Sequence, residues 1–459
     1  MNSIPYDLYA GIIDRSSTIK QSGRVVQIIG LVIESIGPAV SIGDLCHIEN
    51  PETGRRIRAE VVGFRDNRIL LMPFDPVSGI TPGATVTSTG EQLRLPVGEQ
   101  LIGRVLGGLG QPLDGRGAIL SPHLRPIDSP PIHALKRQRI SQPVRTGIKA
   151  IDIPAACGKG QRMGIFAGSG VGKSVLLGMI ARGSTADVNV VALVGERGRE
   201  VREFLEKDLG PEGLGRSVVV AVTSDQPALI RVKGAFVAAA IAEYFRDQGM
   251  DVMLLMDSLT RIAFAQREIG LAIGEPPATK GFTPSVFALM PRLLERAGTN
   301  EKGSITGLYT VLVEGDDFSE PVSDTARSIL DGHVTLSRRL AAVNQYPAVD
   351  ILDSISRLMV DVATEEHLQL AARVRRIVAT YREAEDLINI GAYTSGSSAK
   401  IDHAIAKIDK INDFFRQGIK EHCRFETALE ELSMILEDGR QDRGENEKVQ
   451  LSSRKNSAD

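Results

Sequence analysis

The run M-G-I-F-A-G-S-G-V-G-K-S-V-L-L-G-M-I, residues 163–180, decides how this chain is read. Its first four residues suit a short buried strand and its last six a helix, which is the setting of a phosphate-binding loop. Ala167, Gly168, Ser169, Gly170, Val171, Gly172, Lys173 and Ser174 form the loop itself. Its glycines let the backbone curl through conformations closed to residues with a Cβ, so that several N–H groups converge on an anion at a helix N-terminus. Lys173 adds a point charge for the β and γ phosphates, and the Ser174 hydroxyl suits Mg²⁺ held between them. Ala167 stands where the usual pattern has Gly, and a small residue suffices there. A glycine-rich turn that merely packs is the competing reading, and it leaves the adjacent Lys-Ser unexplained.

Outward from the loop, strand-like and helical runs take turns. Residues 188–194, 217–222, 252–256 and 304–313 read as strands, and residues 229–246 and 258–270 as helices. Such alternation implies a mostly parallel α/β sheet with ligands at the carboxyl ends of its strands. Towards the N-terminus, short β-rich runs at residues 24–29, 31–36, 57–64, 68–72 and 84–88 are separated by turn residues, as in a small β-barrel. Residues 103–131, rich in Gly and Pro, read as a link. Beyond about residue 360 the period becomes helical: Leu370, Val374, Ile377, Tyr381, Ala384 and Ile388 step by four and three, as do Ile401, Ile405 and Ile408, with residues 391–398 as a connecting loop. The expected boundaries are an N-terminal segment 1–22, a barrel 23–96, a nucleotide-binding region 97–360, a helical region 361–437 and a polar, disordered tail 438–459. Tyr6, Leu8, Tyr9, Ile12 and Ile13 in the first segment suit an amphipathic helix for a partner or a membrane surface, or equally a frayed terminus.

Composition narrows the function classes. With 54 Lys plus Arg against 57 Asp plus Glu in 459 residues, nothing points to a nucleic-acid surface. A barrel that binds RNA needs exposed aromatic platforms, and only Phe64 and Phe74 are available, so a docking or ring-stabilising role is preferred. Cys46, Cys157 and Cys423 lie far apart without a C-x-x-C pair, which fits reduced cytoplasmic thiols and no zinc site. No apolar run reaches the ~18 residues that span a bilayer, so membrane association is expected to be peripheral.

Cutting a nucleotide takes charge neutralisation, a positioned water and late cationic stabilisation. Asp257 ends the apolar run V-M-L-L-M and is placed to reach the Mg²⁺ shell as a Walker B acid; capping the helix that begins at Ser258 is the competing role. Glu196, in G-E-R-G-R-E after another apolar run, suits polarisation of the attacking water. A charge stabilised at the next helix N-terminus fits it as well.

The loop, G-E-R-G-R-E, L-L-M-D-S-L-T-R and P-A-V-D-I-L-D-S-I-S (residues 347–356) together resemble the catalytic-subunit family of the rotary ATP synthases and its secretion relatives, most of all its flagellar type III export ATPases. G-E-P-P-A-T-K-G-F-T-P-S-V-F-A-L-M-P-R-L-L-E-R-A-G (residues 274–298) and V-L-V-E-G-D-D-F-S-E-P-V-S-D-T-A-R-S-I-L-D-G-H (residues 311–333) carry the same resemblance. It covers about residues 24–435. It implies a RecA-like P-loop NTPase core of α/β class with an N-terminal β-barrel and a C-terminal helical domain. Lys173 and Ser174 would hold phosphates and metal, Glu196 would be the catalytic carboxylate with Arg197 beside it, and Asp257 the Walker B acid. Tyr346 would line the adenine pocket, and Arg357 would be an arginine finger reaching a neighbouring subunit's site, although from the residues alone it suits a surface ion pair. The resemblance further implies ATP and Mg²⁺, a cytoplasmic homohexamer peripherally associated with the inner-membrane export apparatus, and coupling of hydrolysis to chaperone release and substrate delivery. Its implied partners are a stator-like regulator at the N-terminal region, a coiled-coil stalk in a pore lined by residues 274–283, export chaperones with their substrates, and a membrane gate; no nucleic acid is expected. The helical region has T-E-E-H-L-Q-L-A-A (residues 364–372) as its nearest acidic stretch and lacks the D-E-L-S-E-E-D type segment of the rotary synthases, which sets it apart from torque-coupled synthesis. An injectisome ATPase, an RNA translocase ring and a docking protein whose nucleotide only controls assembly are the alternatives.

Overall fold

The computed structural model describes residues 21–313 and 319–437. Alternation of apolar and polar residues closes the N-terminal strands β1 (Ser22–Ile29), β2 (Val32–Ile36), β3 (Asp44–Glu49), β4 (Arg56–Arg65), β5 (Arg68–Pro73) and β6 (Thr85–Gln92) into a barrel of order β1-β2-β5-β4-β3-β6. Ile33, Ile48, Ile57, Val61, Leu71 and Val86 fill it. The sequence reading lacked β3, because only Cys46 and Ile48 of that strand point inward and two residues make a weak period. On the outer face Val32, Leu70, Met72 and Phe74 join the core of the neighbouring sheet. Of the two barrel aromatics, Phe74 is thus buried and Phe64 exposed.

The central sheet contains β7 (Val105–Leu106), β8 (Arg162–Ala167), β9 (Val188–Glu196), β10 (Ser217–Thr223), β11 (Asp251–Asp257), β12 (Ser304–Leu312), β13 (Gly332–Leu336) and β14 (Val349–Ser356), in spatial order β14-β13-β8-β12-β11-β9-β10-β7. All neighbours along this path are parallel except β13 and β14. β9 is buried at every residue, as expected of a strand covered on both faces. Its side chains alternate between layers: Val190, Ala192 and Val194 meet α2 (Ala228–Asp247), α3 (Leu259–Ile273) and α4 (Pro284–Leu294), whereas Val191 and Leu193 share a core with α1 (Lys173–Gly183).

Three features differ from the sequence reading. The Gly-rich segment read as a link is part of the fold: β7 extends the sheet along β10, and Leu124–Pro126 pairs with Arg94–Pro96. A half-turned loop beyond β7 is locked by Arg104 and Asp114, 2.6 Å apart, and the guanidinium holds that carboxyl far below the usual range. β13 and β14 lie outside the strands expected from sequence: β14 mixes Asp and Ser into its apolar run, and the five-residue β13 has only Val334 and Leu336 as large apolar residues. The helical region has three helices, α6 (Glu365–Asn389), α7 (Ala399–Phe415) and α8 (Phe425–Glu437), following α5 (Pro321–Ile329) of the core. Leu370, Val374 and Ile377 of α6 are buried as their spacing demands, whereas α7 buries Ala404, Ile408 and Ile411 and leaves Ile405 exposed. The acidic stretch after Thr364 is the first turn of α6: Thr364 caps it by accepting from His367 N, and Glu365 and Glu366 sit where the helix dipole favours negative charge. The expected N-terminal amphipathic segment and polar tail lie outside the described residues.

Candidate functional site

Three strands deliver the central groups to one end of the sheet. Register aligns Ala167 with Leu312 and Leu193 with Asp257, so β8, β11 and β9, with β12 between the first two, finish at the same end of the sheet. From β8 the chain enters the phosphate loop and turns into α1 at Lys173, with Gly172 at φ +91° as the cap. That left-handed conformation suits glycine, and the Tyr346 ring lies close by: a Cβ on Gly172 would stand 3.4 Å from Tyr346 Cε1. Arg338 lies across the start of the loop, where a Cβ on Gly168 would come within 2.6 Å of its Nε. Ala167 is buried at the strand end, and Ser174 is exposed on the first turn of α1.

Lys173 Nζ donates to Asp257 Oδ1 at 2.6 Å and lies 3.7 Å from Glu196 Oε1. Thr310 Oγ1, near the carboxyl end of β12, donates to the same Asp257 oxygen at 2.7 Å. The cap of α3 is Ser258, whose hydroxyl accepts from Arg261 N, so the capping role weighed for Asp257 falls to its neighbour. Arg261 Nη2 donates to Glu196 Oε2 at 3.1 Å and its Nη1 to the Gly195 carbonyl at 2.7 Å. Gly195, at φ +74°, makes this possible, because a Cβ there would stand 2.9 Å from Arg261 Cδ. Burial pushes the Glu196 carboxyl up to about 7, helped by the Asp257 carboxylate and by hydrogen bonding with Glu200, against Lys173 and Arg261. A carboxyl poised near neutrality beside a lysine and an anion-binding loop is suited to accept a proton from water.

Not every expected residue joins this group. Arg197 occupies the N-cap position of the helix Gly198–Glu203, where its backbone N–H donates to Glu200 Oε2 at 3.4 Å, and its exposed guanidinium lies 3.7 Å from the same carboxylate. Arg357 follows the last residue of β14. Ser356 pairs with Gly332 and Val349 with Leu336, while Leu336 pairs with Ala167, so Arg357 sits at the opposite end of the sheet from its own loop. Four residues of strand separate those ends, ~13 Å at about 3.3 Å each. There the exposed Arg357 guanidinium reaches the Arg327 carbonyl at 3.4 Å.

Beside the loop lies a cavity of about 710 Å³, lined among others by Val175, Met179, Tyr346, Pro347, Gln417 and Ile419. Its mostly apolar lining of an aromatic ring and aliphatic side chains, edged by Asn344, Asp413, Arg416, Gln417 and Glu421, suits a flat heterocycle next to bound phosphates. For a divalent cation, the Ser174 hydroxyl and the Asp257 carboxylate are hard oxygen donors, and Mg²⁺ at phosphoryl-transfer sites takes its other ligands from phosphates and water. Those residues fit the ion. Arg261, Thr310 and Gln417 carried no role in the sequence reading. Arg261 had a legible signal, standing one helical turn after Asp257 in L-L-M-D-S-L-T-R; the other two reach the site only through tertiary pairing.

Residues 147–356 match the nucleotide-binding domain of the ATP synthase alpha/beta family, residues 25–90 its beta-barrel domain, and residues 363–434 the T3SS EscN ATPase C-terminal domain. The chain is 56% identical to the "Flagellum-specific ATP synthase" of Bacillus subtilis (strain 168), over 92% of this chain and 97% of that protein. The chain belongs to the ATP synthase alpha/beta family, in its flagellar and type III secretion branch. The "Type 3 secretion system ATPase" of Xanthomonas euvesicatoria is 50% identical, over 91% of this chain and 95% of that one. Among solved structures, the assembled ATPase EscN of the enteropathogenic E. coli type III secretion system superposes with a TM-score of 0.84 at 45% identity, covering 90% of this chain and all of that one. EscN in complex with its central stalk EscO gives 0.83 at 46% identity, with the same coverage. Among the described residues no helix is long and apolar enough to cross a membrane.

Proposed function

We propose that this chain is the ATP hydrolase of a flagellar type III protein-export apparatus. The observation that carries the reading is the convergence of Lys173, Asp257 and Glu196 at the end of the sheet beside the phosphate loop, in a chain related over nearly its whole length to flagellum-specific enzymes. The loop amides and Lys173 bind the β and γ phosphates, and Tyr346 receives the adenine. Ser174 and Asp257 would hold Mg²⁺ together with the phosphates, and the ion would supply charge neutralisation there. Glu196 takes the proton of the attacking water as the new P–O bond forms and the bond to ADP breaks; Arg261 orients that carboxylate.

Arg357 is assigned to the site of an adjacent copy. Its position supports this, since it follows the strand at the opposite end of the sheet from its own loop, and a ring, taken here as a homohexamer, is the assembly that supplies such a neighbour to every site. A guanidinium delivered in this way is worth ~10³ to 10⁵ in turnover. The wider reading places the ring in the cytoplasm against the export gate, turning about a coiled-coil stalk and receiving substrates from chaperones. An injectisome role would use the same residues, and relatives of both kinds match at about half identity. ATP hydrolysis measured over a range of protein concentrations, with and without RNA, tests the enzyme. Turnover per chain that rises steeply with concentration and ignores RNA is expected; no turnover in any assembled form would contradict it. Deletion of the gene is expected to abolish flagella, and loss of effector secretion with flagella intact would assign the injectisome instead.

A further inference from the structure

The Tyr346 turn is held from the helical region as much as from the sheet. Gln417, just beyond α7, donates its backbone N–H to the Tyr346 carbonyl at 2.9 Å. Its side chain, in a residue only 4% exposed, is fully engaged. The amide oxygen accepts from Lys149 N at 3.1 Å, and the amide nitrogen donates to the Gly147 and Glu421 carbonyls at 2.8 and 3.1 Å. One residue along the turn, Gln345 Nε2 donates to the Asn412 carbonyl of α7 at 2.8 Å, and Arg416 donates back to Gln345 Oε1 at 3.2 Å.

Gly147 is itself fixed. The buried Asp152 carboxylate accepts from Thr146 N and Gly147 N at 2.8 and 2.9 Å, so the Gln417 amide is anchored to a rigid corner of the core. A buried amide with every partner supplied tolerates little displacement, because each lost bond leaves a desolvated polar group. The path from α7 to the Tyr346 ring is therefore short: one backbone bond at Tyr346 and a reciprocal pair at Gln345.

We propose that Gln417 is a positioning residue through which the helical region sets nucleotide affinity, by fixing the Tyr346 ring against the base while leaving the phosphate loop untouched. This rests on the reading that Tyr346 receives the base. Coupling of this kind is reciprocal: bound nucleotide tightens the docking of α6, α7 and α8, and a partner that loosens those helices weakens nucleotide.

Equilibrium binding of ADP and of pyrophosphate to the full chain, both with Mg²⁺, separates the base side from the phosphate side. Gln417→Met, close in volume and without the amide, is expected to weaken ADP about tenfold and leave pyrophosphate unchanged. Gln345→Met, which leaves Gln417 in place, is expected to give a smaller loss in the same direction. In a Tyr346→Ala background Gln417→Met should cost nothing further, since both act on one ring. Equal weakening of ADP and pyrophosphate, or losses that add in the double variant, would overturn the proposal. If Tyr346→Ala weakens ADP alone while Gln417→Met and Gln345→Met match the parent chain, the coupling fails and the base site stands. If Tyr346→Ala leaves ADP unchanged, both fail.

Discussion

At Glu196, burial, the Asp257 carboxylate and hydrogen bonding with Glu200 act against Lys173 and Arg261, and the balance pushes the carboxyl up to about 7. Its conjugate base is the form that accepts a proton, so turnover should climb with pH through about 7 and level off above it. Glu196→Gln should remove that limb together with about 10² to 10⁴ of kcat while ATP still binds. Arg261 holds the Glu196 pKa down, so Arg261→Ala should move the limb to higher pH as well as lower the rate; a limb that stays put would show that Arg261 acts elsewhere. Gly195→Ala forces a Cβ against Arg261 and into a left-handed backbone. A loss of about 1–2 kcal/mol in stability is expected from denaturant midpoints, with a fall in kcat beyond what stability explains. The same scale shows where sequence adjacency misleads. Arg197 follows Glu196 directly, yet its guanidinium is exposed and pairs with Glu200 rather than joining the site.

Among elements, β4 and α2 are joined by Glu60 and Lys233, 2.7 Å apart and nearly buried. Burial drives the Glu60 carboxyl upward, and Lys233 opposes it. Lys233→Met leaves that carboxyl without its cation and should cost about 3 kcal/mol in thermal or chemical unfolding, most of it regained in Lys233→Met/Glu60→Gln. A double variant no better than the single would mean that packing, not charge, joins barrel and sheet. Such long-range pairs are what the sequence conceals. The phosphate loop, β9, β11 and α6 were legible because glycine placement and apolar period are local signals. β3 and β14 were not, since their inward residues are few or mixed with Asp and Ser. Gln417 gives no local sign of its role, because Lys149, whose N–H it accepts, is 268 residues away in the chain. Thr310 likewise meets Asp257 only once β11 and β12 pair.

For the whole molecule, the two ends of one sheet carry different halves of the proposed site. Glu196 and Asp257 lie at the carboxyl ends of their strands with Lys173, the first residue of α1, beside them, and Arg357 follows the strand at the other end. Under the proposed role of Arg357 a single copy does not close the site, and activity becomes a property of the assembly. The most direct measurement is ATP turnover in assemblies mixed from Lys173→Ala chains and Arg357→Ala chains, each nearly inactive alone. Mixed interfaces that pair an intact loop with an intact guanidinium should restore a sizeable fraction of the activity, rising and falling with the mixing ratio. Co-assembled chains that stay as inactive as either parent would contradict the shared site.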